Sequence, residues 1–189
     1  MGGAVTSRLE LRPIDEAVTD ALAGVFAKPE VWMFPFGRGF SRHETEEFVA
    51  AQARHWRVLG FGLWALVERS PTRTIGYAGL SVPTFLPEVL PAVEVGWRLD
   101  PEAWGHGYAT EAATAALEEA FTTLGLSEVI SLPQVENPPS VRVAERLGMQ
   151  LRRTTTAPAT AKRGPVEVAV MTIRRREWEA RATGHGPRA

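Results

Sequence analysis

The chain has no cysteine in 189 residues, so thiol nucleophiles, disulfides and thiolate metal sites are all excluded at once. It has no apolar run near the ~18 residues that a membrane-spanning helix needs. It has almost no net charge, −1 at pH 7, which removes the electrostatic footprint of a nucleic-acid or acidic-membrane binder. The opening Met1-Gly2-Gly3-Ala4 lacks the basic and apolar regions of a signal peptide, and a cytoplasmic location is the expectation. Tyrosine is scarce too: Tyr77 and Tyr108 are the only two. That scarcity bears on any chemistry needing a phenolic proton donor.

What is present fits one globular domain, because 44% hydrophobic residues in a chain of this length bury a substantial core. The expected domain spans 1–189, with a core over about 6–178 and a frayed tail over 179–189. Arg8-Leu9-Glu10-Leu11-Arg12 alternates charged and apolar residues, the period of a half-buried strand ended by Pro13. Asp15 is placed to cap a helix running to about Lys28. The aromatic stretch 32–40, broken by Pro35 and two glycines, reads as a loop. Ser41 followed by Glu44 is a capping-box signature for a second helix.

Strands are expected over 63–67, 74–81, 93–99, 128–132, 150–155 and 167–173. An alanine-rich helix is expected from about 107 to 124, closed by Gly125, and a short helix over 138–147, stopped by Gly148. Arg174-Arg175-Arg176, followed by two glutamates, reads as a solvated helix start. The order β-α-α-β-β-β-α-β-α-β-β predicts an α/β (α+β) fold, a mixed sheet with helices packed on its faces.

Residues 93–112 form the segment richest in chemistry. They read as a strand, a turn holding Gly105 and Gly107, and a helix start. Glycines there let a backbone approach a ligand closely, and a helix N-terminus offers unpaired N–H groups to an anion. Gly-x-Gly before a helix is a weak signal alone, since a tight strand-to-helix connection produces it too. A Walker loop fails because Tyr108 and Ala109 follow Gly107. A Rossmann fingerprint fails because Thr110 stands where a third glycine belongs. Glu111 reads as an acidic residue complementing the helix dipole, not as a site residue.

Trp104-Gly105-His106-Gly107-Tyr108-Ala109-Thr110-Glu111-Ala112 resembles the coenzyme A-binding loop of the Gcn5-related N-acetyltransferases (GNAT). The likeness is greatest to the branch holding the ribosomal-protein N-terminal acetyltransferases (RimJ/RimL-like). The segment from Glu136-Asn137-Pro138-Pro139-Ser140 to Leu147-Gly148-Met149 resembles a second signature of that branch, and Thr6–Pro13 resembles its first strand. Trp104 departs from the Gln or Arg of much of the superfamily, although this branch tolerates an aromatic there.

The resemblance implies a single domain whose mostly antiparallel sheet splays between its fourth and fifth strands, here 93–99 and 128–132. It implies acetyl-CoA as cofactor, with the pyrophosphate on the N–H groups of 105–110. The binding set is then Val95, Gly96, Trp97, Arg98, Leu99, Trp104, Gly105, His106, Gly107, Tyr108, Ala109, Thr110 and Asn137. Val93, Val95, Trp97 and Leu99 share one face of the strand; Glu94, Gly96 and Arg98 share the other. Asn137-Pro138 is independently a helix N-cap followed by a first-turn proline. Pro133 lacks the N–H for a ladder bond, which suits a splay.

The expected reaction is acetyl transfer to a primary amine, of a protein N-terminus or a small molecule, by direct attack in a ternary complex. With no tyrosine after residue 108, Ser140 is the candidate acid, the alternative being an ordinary first-turn residue. Glu94 is the candidate base, the alternative being an ion pair with Arg98, although four strand residues span ~13 Å. Catalysis by positioning alone is a further option. The resemblance places acceptor recognition around Trp32, Phe34 and Phe36, the commoner fate of such aromatics being core beneath a loop, together with Lys162 and Arg163 in the loop between the last strands. No metal, nucleic-acid or membrane partner is expected, and analogy leaves a homodimer open. A non-catalytic acyl-CoA sensor of the same fold is the alternative function.

Overall fold

A computed structural model describes residues 2–182. Eight strands form one sheet: β1 (Ala4–Val5), β2 (Leu9–Pro13), β3 (Leu63–Arg69), β4 (Thr72–Ser81), β5 (Glu94–Leu99), β6 (Glu128–Ser131), β7 (Gln150–Ala157) and β8 (Val166–Arg174). Their spatial order is β1-β2-β3-β4-β5-β6-β8-β7. Every pairing is antiparallel except β5 with β6, which are parallel. The mixed sheet with helices on its faces is the expected fold class. Strand β1 adds to expectation: the chain is already folded at Gly2, whose carbonyl accepts the Trp64 indole N–H.

Helices α1 (Thr19–Phe26), α2 (Met33–Phe36) and α3 (Arg42–Leu59) lie between β2 and β3. Asp15 caps a 3-10 turn that precedes α1, accepting the Ala17 N–H at 2.9 Å. A 3-10 turn over Pro29–Trp32 leads into the stretch read as a loop, which holds the single turn α2, broken at Phe34. At α3 the capping box is complete: the Ser41 hydroxyl accepts from the Glu44 N–H, and the Glu44 carboxylate accepts from the Ser41 N–H.

Helix α4 (Tyr108–Glu118) follows β5 and runs into a π-turn over Glu119–Thr123 before Gly125. Its Ala112, Ala113, Ala116 and Ala120 are fully buried, so the helix lies close against the sheet. Leu9, Leu11, Leu66, Val95, Leu99 and Leu117 complete that core. Each such leucine contributes roughly 1.5–3 kcal/mol by its burial. On the other face α1 and α3 cover Leu63 and Ala65 with Leu22, Val25, Phe26 and Val49. A third cluster places Leu86, from the β4–β5 loop, on Ile130, Leu132, Val168 and Val170.

Helix α5 (Pro138–Arg146) joins β6 to β7, and α6 (Arg175–Ala182) follows β8 directly. The helix read from the arginine run therefore extends four residues beyond the expected core boundary at 178. The remainder of the expected frayed tail, 183–189, lies outside the described residues.

Candidate active site

Strands β5 and β6 start side by side and then part. Their ladder has one register pair, Glu94 with Ile130, beside which the Ile130 N–H donates to the Val93 carbonyl at 3.0 Å. Pro133, just beyond β6, has no N–H to extend the ladder toward β5. Its carbonyl turns the opposite way and accepts from Ala169 on β8 at 2.9 Å. Beyond the pair, β5 therefore has a free backbone edge facing a gap.

At the far end of β5 the chain turns through 100–107. The Asp100 carboxylate caps this turn by accepting the Glu102 N–H at 2.9 Å. The Trp104 indole N–H donates to the Leu99 carbonyl at 2.9 Å, while its ring is 52% exposed at the loop surface. Gly105 and Gly107 take φ of 79° and 80°, left-handed values that cost any side chain with a Cβ about 1–2 kcal/mol. Gly107 occupies the N-cap position of α4 without a capping side chain. Among the described residues, the backbone N–H groups of 105–110 find no acceptor. Six such donors in sequence at a helix start form an anion cradle.

A chain of charge frames that cradle. Lys28 pairs with Asp100 at 2.7 Å and Glu102 at 3.2 Å; Arg73 pairs with Glu102 at 2.9 Å and Glu68 at 2.8 Å. Glu68 accepts the Tyr108 hydroxyl, and the Arg8 guanidinium lies 4.6 Å from the Tyr108 ring centroid. Arg8 donates to the His106 carbonyl at 2.8 Å and pairs with Glu111 at 2.6 Å. Glu111 also accepts from the Thr6 and Ser7 hydroxyls and the Arg8 N–H. Burial alone would raise the Glu111 carboxyl, but these donors outweigh it and hold it below its ordinary value. Glu111 is thus a clamp between α4 and the start of β2, a more specific role than helix-dipole complementation. Arg8 and Glu68 escaped the sequence reading.

Glu94 keeps only partial solvent access beside the gap. Burial pushes its carboxyl up to about 7, opposed by a hydrogen bond from the Leu132 N–H and by the charge of Arg98. No ion pair forms between Glu94 and Arg98, although the field of the arginine is felt. Across the gap, Asn137 caps α5 by accepting the Ser140 N–H at 3.3 Å. The Ser140 hydroxyl is half-buried and has no partner among the described residues. Both tyrosines are engaged elsewhere, Tyr108 with Glu68 and Tyr77 with the Nε of Arg98 at 3.3 Å.

Val95 and Leu99 are buried in the α4 core, and Val93 and Trp97 pack against it; this is the face read from the alternation. On the opposite face, the Arg98 side chain leaves the strand and reaches the expected acceptor wall. Its Nη1 donates to the carbonyls of Val31 and of Phe34 (2.8 Å), and its Cζ lies 4.0 Å from the Trp32 ring centroid. Trp32 itself is inside the wall, 4% exposed and stacked on Phe40 at 3.7 Å. Phe34 and Phe36 keep partial exposure. Lys162, from the β7–β8 loop, pairs with Glu47 of α3 at 3.1 Å, and so ties that loop to the wall. Among the described residues, no cluster of side chains could hold a metal ion.

Residues 8–150 match the acetyltransferase (GNAT) domain family. The chain belongs to that family. As a GNAT protein it is an acyltransferase by descent, with acetyl transfer as the general activity. It is 31% identical to YkkB of Bacillus subtilis over 79% of this chain and 86% of YkkB. It is 32% identical to the FsC-acetyl coenzyme A-N(2)-transacetylase of Aspergillus fumigatus, covering 92% of this chain and 76% of that protein. The fold matches a GNAT-family acetyltransferase from Bacillus anthracis with a TM-score of 0.75 and 22% identity, over 93% of this chain and 99% of that one. A putative ribosomal-protein-serine acetyltransferase from Vibrio cholerae gives 0.76 at 21% identity, over 92% and 99%.

Proposed function

We propose that this GNAT protein transfers the acetyl group of acetyl-CoA to a primary amine by direct attack in a ternary complex. The run of unaccepted N–H groups over 105–110 is the observation that carries this reading. It fits a pyrophosphate without any lysine, and it sits at the end of a strand with a free edge. In this reading the edge of Val95, Gly96, Trp97, Arg98 and Leu99 aligns the pantetheine arm, and Asn137 steadies that arm from across the gap. The thioester supplies the acyl group and a thiolate leaving group.

The attacking amine must be neutral, yet an α-amine has a pKa near ~8 and a lysine amine ~10.4. Glu94, held near 7, is matched to taking that proton at neutral pH, directly or through one water. As nitrogen bonds to the carbonyl carbon and the carbon–sulfur bond breaks, Ser140 passes a proton to the departing sulfur and recovers one from water, while Glu94 releases the amine proton to solvent. The relation to the Aspergillus transacetylase, by its name an acetyl-coenzyme A enzyme, supports the donor.

The first test is calorimetric titration of the purified protein with acetyl-CoA, with ATP and NAD as controls, followed by an amine-acetylation assay. Selective binding near micromolar, ~−8 kcal/mol, with turnover is the expected result. Binding without turnover on any amine would favour an acyl-CoA sensor. No binding would end the cofactor reading.

A further inference from the structure

Arg98 is a partly buried cation that faces the acceptor side of the sheet and has no carboxylate within ion-pair distance among the described residues. Its hydrogen bonds are all to neutral oxygens: Nε to Tyr77, and Nη1 to Val31 and Phe34. Nη2 donates to nothing in the described chain. Beside it, the Trp32 indole N–H is fully buried and also has no acceptor. A buried N–H without a partner costs ~1–3 kcal/mol, and a half-buried guanidinium without an anion is similarly unbalanced. The two deficits adjoin, the guanidinium lying over the Trp32 ring.

One ligand feature corrects both. An oxyanion placed at the edge of Arg98 would accept from Nη2 and bring an acceptor to the indole N–H, and a carboxylate matches the guanidinium fork in shape as well as charge. A second such cation is Arg163, partly buried in the β7–β8 loop, whose guanidinium donates only to the Pro158 and Gly164 carbonyls. A purely cationic acceptor such as a polyamine would meet the reverse of what it needs. The acidic side chains at the rim, Glu44 and Glu47, are already taken by Arg38 and Lys162.

We infer that the acceptor is an amine that also carries a carboxylate, and that Arg98 and Trp32 receive that carboxylate while the amine faces Glu94. This inference rests on the acetyltransfer reading above and names its substrate class. Glu94 and Arg98 stand on the same strand face, four residues apart.

Matched pairs of amines test it: lysine against 1,5-diaminopentane and phenylalanine against phenethylamine, with lysinamide and phenylalaninamide as neutral controls and a short peptide for a protein N-terminus. The wild type is expected to favour a carboxylated member at least tenfold in kcat/KM over both its decarboxylated and amidated partners. Arg98→Met should erase that preference by raising KM for the carboxylated amine while KM for its decarboxylated and amidated partners stays near the wild-type value. Trp32→Phe, which keeps the ring stack and removes only the N–H, should weaken the same acceptor several-fold and spare the others.

Equal rates across both pairs, or a preference for the peptide, would overturn the inference. So would a preference that survives Arg98→Met, or a KM rise shared by every amine, which would mark Arg98 as a brace for the wall alone. Absence of acetylation of any amine would overturn the acetyltransfer reading instead, and this inference with it.

Discussion

Glu94 stands opposite Ile130 in the single register pair that joins β5 to β6. Its carboxylate is influenced by the Leu132 N–H, just past the point where that ladder stops. Burial holds its proton near neutrality, so folding stability responds to its titration.

As a base, Glu94 must be ionised. kcat/KM is expected to climb with pH through about 7 and then level. Glu94→Gln should lose about 100-fold or more in rate and flatten that limb, with acetyl-CoA affinity kept. A pH–rate profile of the two proteins checks this, and an unchanged limb in the variant would remove Glu94 from the chemistry.

The same titration fixes a stability effect of opposite sense. Between 4.5 and about 7 the folded protein holds a proton that the unfolded chain has released, so folding stability falls as pH rises across that window. Glu94→Gln should therefore be more stable than the wild type at pH 8, by at most about 3 kcal/mol, and indistinguishable from it below pH 4.5. Denaturant titrations at pH 4 and pH 8 measure the difference.

Glu111 titrates the other way. Its carboxyl is held below 4.5, so its contribution is complete above that pH and fades as acid protonates the folded state. Replacement by Ala should cost about 2 kcal/mol at pH 7, because Thr6, Ser7 and Arg8 lose their acceptor together. Acid unfolding curves should draw closer together as pH drops.

Gly107→Glu should abolish coenzyme A binding by bringing a side chain and a negative charge to the cradle. The nearest obstacle to a Cβ there is Arg8 Nη2 at 3.6 Å, so the cost to folding is dihedral strain more than collision. Circular dichroism close to wild type with binding weakened at least ~100-fold, ~2.7 kcal/mol, is the expected pair of results. Retained affinity would place the pyrophosphate elsewhere.

Ser41→Ala offers a control remote from the chemistry. It removes half of a complete capping box and should cost about 1 kcal/mol without altering KM for acetyl-CoA.

Features that depend on near neighbours in the chain were legible in the sequence. Ser41 and Glu44 are three residues apart, Asn137 and Pro138 adjacent, and the glycines flanking His106 lie within one turn. Strand alternation likewise identified Val95 and Leu99 as core. What escaped are meetings between distant segments: Arg8 with Glu111 across 103 positions, Tyr108 with Glu68 across 40, and Arg98 with Phe34 across 64. No local period encodes these, since each is fixed by which strands become neighbours. Trp32 illustrates the limit well. The resemblance offered it as a cleft wall and general packing rules as core beneath a loop, and its contacts with Phe40 and Arg98 place it just beneath the wall surface.

The lone parallel bridge between β5 and β6 divides the sheet into a five-stranded and a three-stranded leaf. A sheet so nearly severed behaves as two plates on a narrow hinge, supported by the α4–α5 packing behind it. A ligand threaded along the seam would act as the missing strand, stiffening the joint. Amide hydrogen exchange in β6 would then slow on binding, far from any atom that changes bonds.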